Sequence, residues 1–450
     1  MRHFFITLIF LSVEALASSP RPFTLQDIGK YLKEENPFYY RAIGEQFIAK
    51  AASDAAYGVT DLKLDAAYDD KRYAVTKGEY RSLFVTQNLL NGVSLTAGYR
   101  RAAGLQEYNN IKTGNDGEIQ AGIRFSLFSL INDISKNKVD IEQAKLHYLK
   151  SQDRAALKLL NLKFNMAKLY YQVRFAYTRL HLEKQLLQKA RKHRLFIEKK
   201  IKSGMLPAST SIEIEQIVLQ RRARVAQAQN DFLQTRNLFV QYLGLSIQEF
   251  EHSYRIKRLT PRITALPSQH TIISEAIDSR PELKLYERNR AGIALDERYN
   301  ELNAYGDVTV GFTGNYDLLY KEGYKTTLNF SLPLQRTAYK GSKEKLRLQK
   351  MLNQSEKLAW IEELRTKIAN IYVAHKQIAQ GIKLLKMQLQ KSLELEKIEK
   401  RKLAEGVGSL IFVNQREIGT LQIQDLLMQD YLQLRINELT LQYYRNAFPF

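Results

Sequence analysis

The sequence contains no cysteine in 450 residues. That excludes a disulfide framework, a cysteine-ligated metal and an N-terminal lipid-modified cysteine. It also lacks any apolar run approaching the roughly 20 residues that a helix needs to cross a bilayer. If the chain sits in a membrane, it must do so through β-strands. No P-loop, GxSxG or HExxH string is present. The histidines, His3, His147, His181, His193, His252, His270 and His375, are scattered without metal-ligand spacing. Carboxylates are abundant on helical stretches, but nothing pairs them for acid–base work. No catalytic residue, cofactor or metal is therefore expected, and the chain is not expected to be an enzyme. Without disulfides it must hold together by burial alone, and it is long enough for that.

What is present starts with an export signal. Arg2 and His3 give a short basic start, Phe4–Val13 is a ten-residue apolar run, and Ala15-Leu16-Ala17 supplies the small residues that a signal peptidase reads. Residues 1–17 are expected to be a signal peptide cleaved after Ala17. The formal net charge of +21 invites a nucleic-acid reading. However, the basic residues lie along helical stretches with acids among them, as in KARKHRLFIEKKIK and KIEKRK. Solvated helix faces account for most of this, and no nucleic-acid partner is expected.

The chain is written twice. AYG occurs at Ala56–Gly58 and Ala304–Gly306, FSL at Phe125–Leu127 and Phe330–Leu332, and LQK at Leu187–Lys189 and Leu389–Lys391, in the same order and the same local setting. Each copy opens with a short helical segment and a proline-introduced helix, at Pro37 and Pro281, where a missing N–H costs nothing in the first turn. β-type sequence, a long helix, a turn and a second long helix follow. The expected organisation is residues 18–244 as a first repeat, 245–269 as a linker and 270–450 as a second repeat. Gly244 to His270 is expected to be irregular, marked by Pro261 and Pro267.

The β segments alternate with period two. Leu62, Leu64, Ala66 and Tyr68 oppose Asp61, Lys63 and Asp65; Val93, Leu95, Ala97 and Tyr99 oppose Ser94, Thr96 and Arg100. In the second copy Val308, Val310 and Phe312 oppose Thr309 and Thr313, and Leu328, Phe330 and Leu332 oppose Lys325, Thr327, Asn329 and Ser331. Four strands are recognised, and Gly117 to Phe128 is a further strand-like segment. A soluble sandwich would give the same alternation. The long helices carry a heptad seam: Leu364, Ile368, Ile371, His375, Ile378, Ile382, Leu385 and Leu389 fall at four-three spacing. Shifted back by 202 residues, Leu162, Met166, Leu169, Val173, Ala176 and Leu180 repeat it, slipping at Glu183 before Leu187. Such a seam demands coiled-coil packing, in helices of roughly 100 Å at about 1.5 Å per residue.

The sequence resembles the TolC-like outer-membrane efflux proteins. Asn36-Pro37, Arg280-Pro281-Glu282-Leu283, the FSL strand ends and the turns at Gly204 and Gly408 carry the likeness, by order and duplication. The resemblance implies a mainly α fold with a membrane β-barrel part: two tandem repeats of helix, strand hairpin and long coiled-coil helix pair, assembled as a homotrimer. Each protomer would give four strands to a shared β-barrel in the outer membrane, and its helices to a periplasmic α-helical barrel. The implied role is the exit duct of a tripartite efflux or type I secretion system in a Gram-negative-type bacterium. Its partners would be a periplasmic adaptor (membrane fusion protein), an inner-membrane pump of RND or ABC type, and outer-membrane lipid. The rival is a periplasmic or surface coiled-coil scaffold without a pore.

In that family the gate lies where the long helices turn back. Sixth and ninth after Gly204 come Thr210 and Glu213; after Gly408 come Asn414 and Glu417. In well-known members the second tip carries acids at both places; here Glu417 keeps one and Asn414 replaces the other. Arg416, Lys402 and Asn414 are the nearest candidate partners of Glu417. Glu213 and Glu417 also suit the first turn of a helix as ordinary acids, and Lys199, Lys200, Lys202, Lys400, Arg401 and Lys402 suit the preceding helix ends.

Overall fold

A computed structural model describes residues 20–75, 77–104 and 111–450; the expected signal segment lies outside them. In chain order the elements are β1 (Arg21–Pro22), α1 (Pro37–Ala55), β2 (Lys63–Arg72), β3 (Lys77–Asn88), β4 (Val93–Gly104) and β5 (Glu118–Ser126). Next come α2 (Leu127–Ile131), α3 (Lys136–Lys202), α4 (Ser209–Leu243), α5 (Ile247–Ser253) and β6 (Tyr254–Arg255). The chain then forms α6 (Gln269–Ser279), α7 (Pro281–Asn303), β7 (Asp307–Asp317), β8 (Lys321–Ser331), α8 (Thr337–Ala404) and α9 (Leu410–Tyr444). The expected rods are present: α3 has 67 residues and α8 has 68. Two compact units result.

One unit comprises the described residues up to Tyr40, with Asn161–Ile272 and Ile368–Phe450. The heptad seam is its core. Met166, Val173, Ile368 and Ile382 are fully buried, and Ile378 packs on a cluster of Leu259, Ile382, Leu427, Tyr431 and Leu434. His375 is buried too, and its Nδ1 has no hydrogen-bond partner. Glu183, where the first-copy seam slips, is also buried.

The segment after Gly244 is less irregular than its prolines suggest. Ser246 and Glu249 cap each other reciprocally and start α5, a pattern the proline-based expectation passed over. β6 then pairs in parallel with β1, and the Phe23 ring packs against Tyr170, Phe239, Phe250 and Tyr254. Beyond β6 the strap has no regular secondary structure, and side chains hold its backbone. Arg174 donates to the carbonyls of Lys257 (3.3 Å) and Arg258 (2.6 Å), and the Leu259 N–H donates to Thr178 (2.8 Å).

The other unit comprises Arg41–Leu160 and Ile273–Lys367. Among the described residues its sheet holds six strands in the order β2-β3-β4-β5-β7-β8, every neighbour antiparallel. This corrects the expectation of four strands per chain. Gly117–Phe128 does contain a strand, β5, and β3 is a strand that the alternation does not mark. The region between α1 and α2 therefore holds two hairpins, whereas that between α7 and α8 holds one. The added turn, Leu89–Gly92, is anchored by the Ser135 hydroxyl, which donates to the Leu90 carbonyl at 2.6 Å. α7 begins with Pro281 in its first turn, as expected, and Ile134, Val139 and Leu302 form a small core.

Candidate functional site

Two features have a geometry that bears on function, one in each unit. The first is the pair of helix turns. In the first tip the Gly204 N–H donates to Ile201 and the Met205 N–H to Lys200; in the second, Gly406 donates to Leu403 and Val407 to Lys402. Gly204 and Gly406 take up the left-handed backbone, with φ of +73° and +83°. The two turns are thus the same turn, 202 residues apart. Gly408 serves a different need: a Cβ there would lie 2.6 Å from the Leu403 nitrogen. By this shift Glu417 corresponds to Glu215 rather than to Glu213. Ile197, Ile214, Leu403, Leu410 and Val413 pack the two tips together.

Among the expected tip residues, Gly204 and Glu213 are exposed, while Thr210, Gly408 and Asn414 are half-buried. Glu417 is 3% exposed. Its carboxylate meets His193 Nε2 at 3.2 Å and Lys400 Nζ at 2.9 Å. Lys400 also reaches Glu396 at 2.5 Å, and Lys189 reaches the same carboxylate at 3.3 Å. On α4 the fully buried Arg221 donates to the Asn414 side chain at 3.1 Å. Four helices therefore feed one polar cluster: α3 gives Lys189 and His193, α4 Arg221, α8 Glu396 and Lys400, α9 Asn414 and Glu417.

Burial alone would raise the Glu417 pKa, but hydrogen bonds from His193 and Lys400 overcome it and hold it at about 2. Burial likewise opposes the charge on Lys400, yet Glu396 and Glu417 keep its pKa raised. Burial pulls Arg221 down, offset in part by Glu417 and Glu183. The cluster is a lock between helices; it offers no nucleophile–base pair. Among the described residues no group of three or more His, Asp or Glu could hold a metal ion.

Of the partners expected for Glu417, the structure brings in neither Arg416 nor Lys402. Arg416 precedes Glu417 directly, so on a helix the two point apart. Lys402 pairs with Glu399 instead. His193 and Arg221 were missed because they meet Glu417 and Asn414 only through tertiary packing, and Glu396 because it is tied to Glu417 only through Lys400. The Glu396–Lys400 pair alone was legible, as an i,i+4 ion pair.

The second feature is the sheet. Register places Leu64, Val85, Ala97, Ala121, Gly314 and Tyr324 in one row, with Leu95, Ile123 and Phe312 in another on the same face. The opposite face carries Thr86, Thr96, Gly122, Thr313 and Lys325 in a row. The apolar side is open: Leu64, Leu328 and Tyr324 are 68%, 71% and 78% exposed. The polar side is concave, forming a trough to which all six strands contribute, among them Asp65, Thr86, Thr96, Gln120, Thr313 and Lys325. Soluble β domains wrap around their apolar face; this sheet wraps around its polar one.

The fold is that of TolC-like outer-membrane efflux channels. VceC, an outer membrane protein of Vibrio cholerae, matches with a TM-score of 0.72 over 94% of this chain and 96% of its own, at 12% identity. The open-state MtrE outer membrane channel of Neisseria gonorrhoeae matches at 0.66 over 94% and 89%, with 14% identity. A membrane protein from Pseudomonas aeruginosa matches at 0.71 over 96% and 92%, with 16% identity. At such identities the likeness is one of fold. No family model and no curated protein matches the sequence.

Proposed function

We propose that the chain is the exit duct of a tripartite efflux or type I secretion system, a homotrimer seated in the outer membrane and reaching into the periplasm. It passively conducts substrates delivered by an inner-membrane pump of RND or ABC type through a periplasmic adaptor. Residues 18–244 and 270–450 act as tandem repeats joined by 245–269. Their strands join those of two further copies in a closed barrel, and their long helices line a periplasmic α-helical barrel. The tips, with Gly204, Thr210, Glu213, Gly408, Asn414 and Glu417, form the gate and adaptor contact. The observation that carries this reading is the inverted sheet, apolar on its open face and polar in its trough, as a strand wall between lipid and water must be.

Two measurements test it. The purified protein in planar bilayers should give discrete conductance steps, and membrane pellets should keep it through a carbonate wash and release it to detergent. A scaffold without a pore would wash off in carbonate and stay silent in the bilayer, and that result would sink the channel reading.

A further inference from the structure

The outer strands β2 and β8 each pair on one side only among the described residues. An open strand edge is costly in hydrocarbon, because every unpaired N–H and C=O there lacks water. We propose, building on the trimeric channel reading, that β8 of one copy pairs antiparallel with β2 of the next, with Asp69 opposite Lys325, closing a barrel of eighteen strands rather than the twelve that the resemblance implies.

Three constraints select this register. Apolar faces must match, so a slip of one residue is forbidden. With Asp69 opposite Lys325, all ten residues of β2 are paired, Lys63 to Arg72 against Ser331 to Glu322. Arg72 then faces Glu322, so both cross-strand charge pairs have opposite sign. A slip of two in one direction sets Lys71 against Lys321 and Asp70 against Glu322. The same slip in the other direction sets Lys71 against Lys325. Both oppose like charges.

The tilt is the third constraint. Following the pairing across one copy, Leu64 leads through Val85, Ala97, Ala121 and Gly314 to Tyr324. In the proposed register Tyr324 faces Asp70 of the next copy, so one copy advances the stagger from Leu64 to Asp70, six residues over six strands. One residue of about 3.3 Å per strand spacing of about 4.8 Å gives a tilt of about 35°, within the range that closed barrels adopt. Barrel diameter grows roughly linearly with strand number, so the lumen is about half as wide again as that of a twelve-stranded barrel.

The lack of cysteine makes the test clean. The double variant Ala67→Cys with Thr327→Cys places two thiols directly opposite each other across the proposed junction, on the polar face. Within one chain they sit on opposite edges of the sheet, so mild oxidation of the detergent-extracted protein should give a covalent trimer on non-reducing gels. Ala67→Cys with Gly323→Cys is offset by four residues, about 13 Å along the strand, and should stay uncrosslinked. As a second measurement, Asp69→Lys should lower the temperature at which the trimer dissociates, and adding Lys325→Asp should restore it. Crosslinking only in the offset pair, or in neither pair while the protein stays trimeric, overturns the junction and with it the eighteen strands. A protein that is monomeric in mild detergent overturns the channel reading itself, and this inference with it.

Discussion

Glu417 is charged although it is almost wholly buried, because His193 and Lys400 surround it. Its folded pKa of about 2 lies below its ordinary value of 4.5. A carboxylate held down in this way stabilises the fold above pH 4.5 and loses that contribution as pH falls through about 2. The contribution at neutral pH is on the order of 3 kcal/mol. Glu417→Gln should therefore melt earlier than wild type at pH 7, with the gap closing as pH is lowered toward 2 in thermal scans. If the lock also holds the tips closed, Glu417→Gln should raise single-channel conductance in planar bilayers. Glu142, a half-buried helix residue paired with Lys145, is the control and should change neither. A gap between wild type and Glu417→Gln that does not narrow at low pH would break the account of this pair. His375 is the opposite case. Its buried Nδ1 has no partner, so His375→Leu should be neutral or stabilise by about 1 kcal/mol in denaturant titrations.

At the scale of elements, the seam of α8 is the clearest test. Ile382 is fully buried and Ile378 packs beside it, so Ile378→Asp or Ile382→Asp would put an uncompensated charge among Leu427, Tyr431 and Leu434. Each should cost several kcal/mol, read as a lower melting temperature and loss of assembly; unchanged melting would refute the coiled-coil assignment. These helices were legible in the sequence because a heptad seam is a long, redundant signal. The strands were only partly legible. In β3, Leu83 and Val85 keep the apolar face, but Phe84 and Tyr80 stand on the polar one and Arg81 on the apolar one, which blurs the period of two. The Asn91-Gly92 pair after it was a readable turn signal. The long helices turn back near Gly204 and Gly408, where the glycines suggest it, but the partners of Glu417 were not legible. His193 lies 224 residues away, and no local pattern announces such a neighbour.

At the scale of the whole molecule, the six sheet strands among the described residues are too few for one chain to enclose the proposed lumen, since the smallest membrane barrels use eight. In mild detergent, light scattering should give a protein mass of about three times that of one processed chain; a stable monomer would refute the shared wall. The short parallel pairing of β1 with β6 has a further consequence, for the order of events during synthesis. Arg21 and Pro22 find their partners only at Tyr254 and Arg255, and Phe23 closes its aromatic cluster with Phe239 and Phe250. The start of the chain thus waits until more than half of it has been made. Long-range closure of this kind is slow, so the emerging polypeptide keeps its strand edges unpaired for longer, the condition under which such edges aggregate.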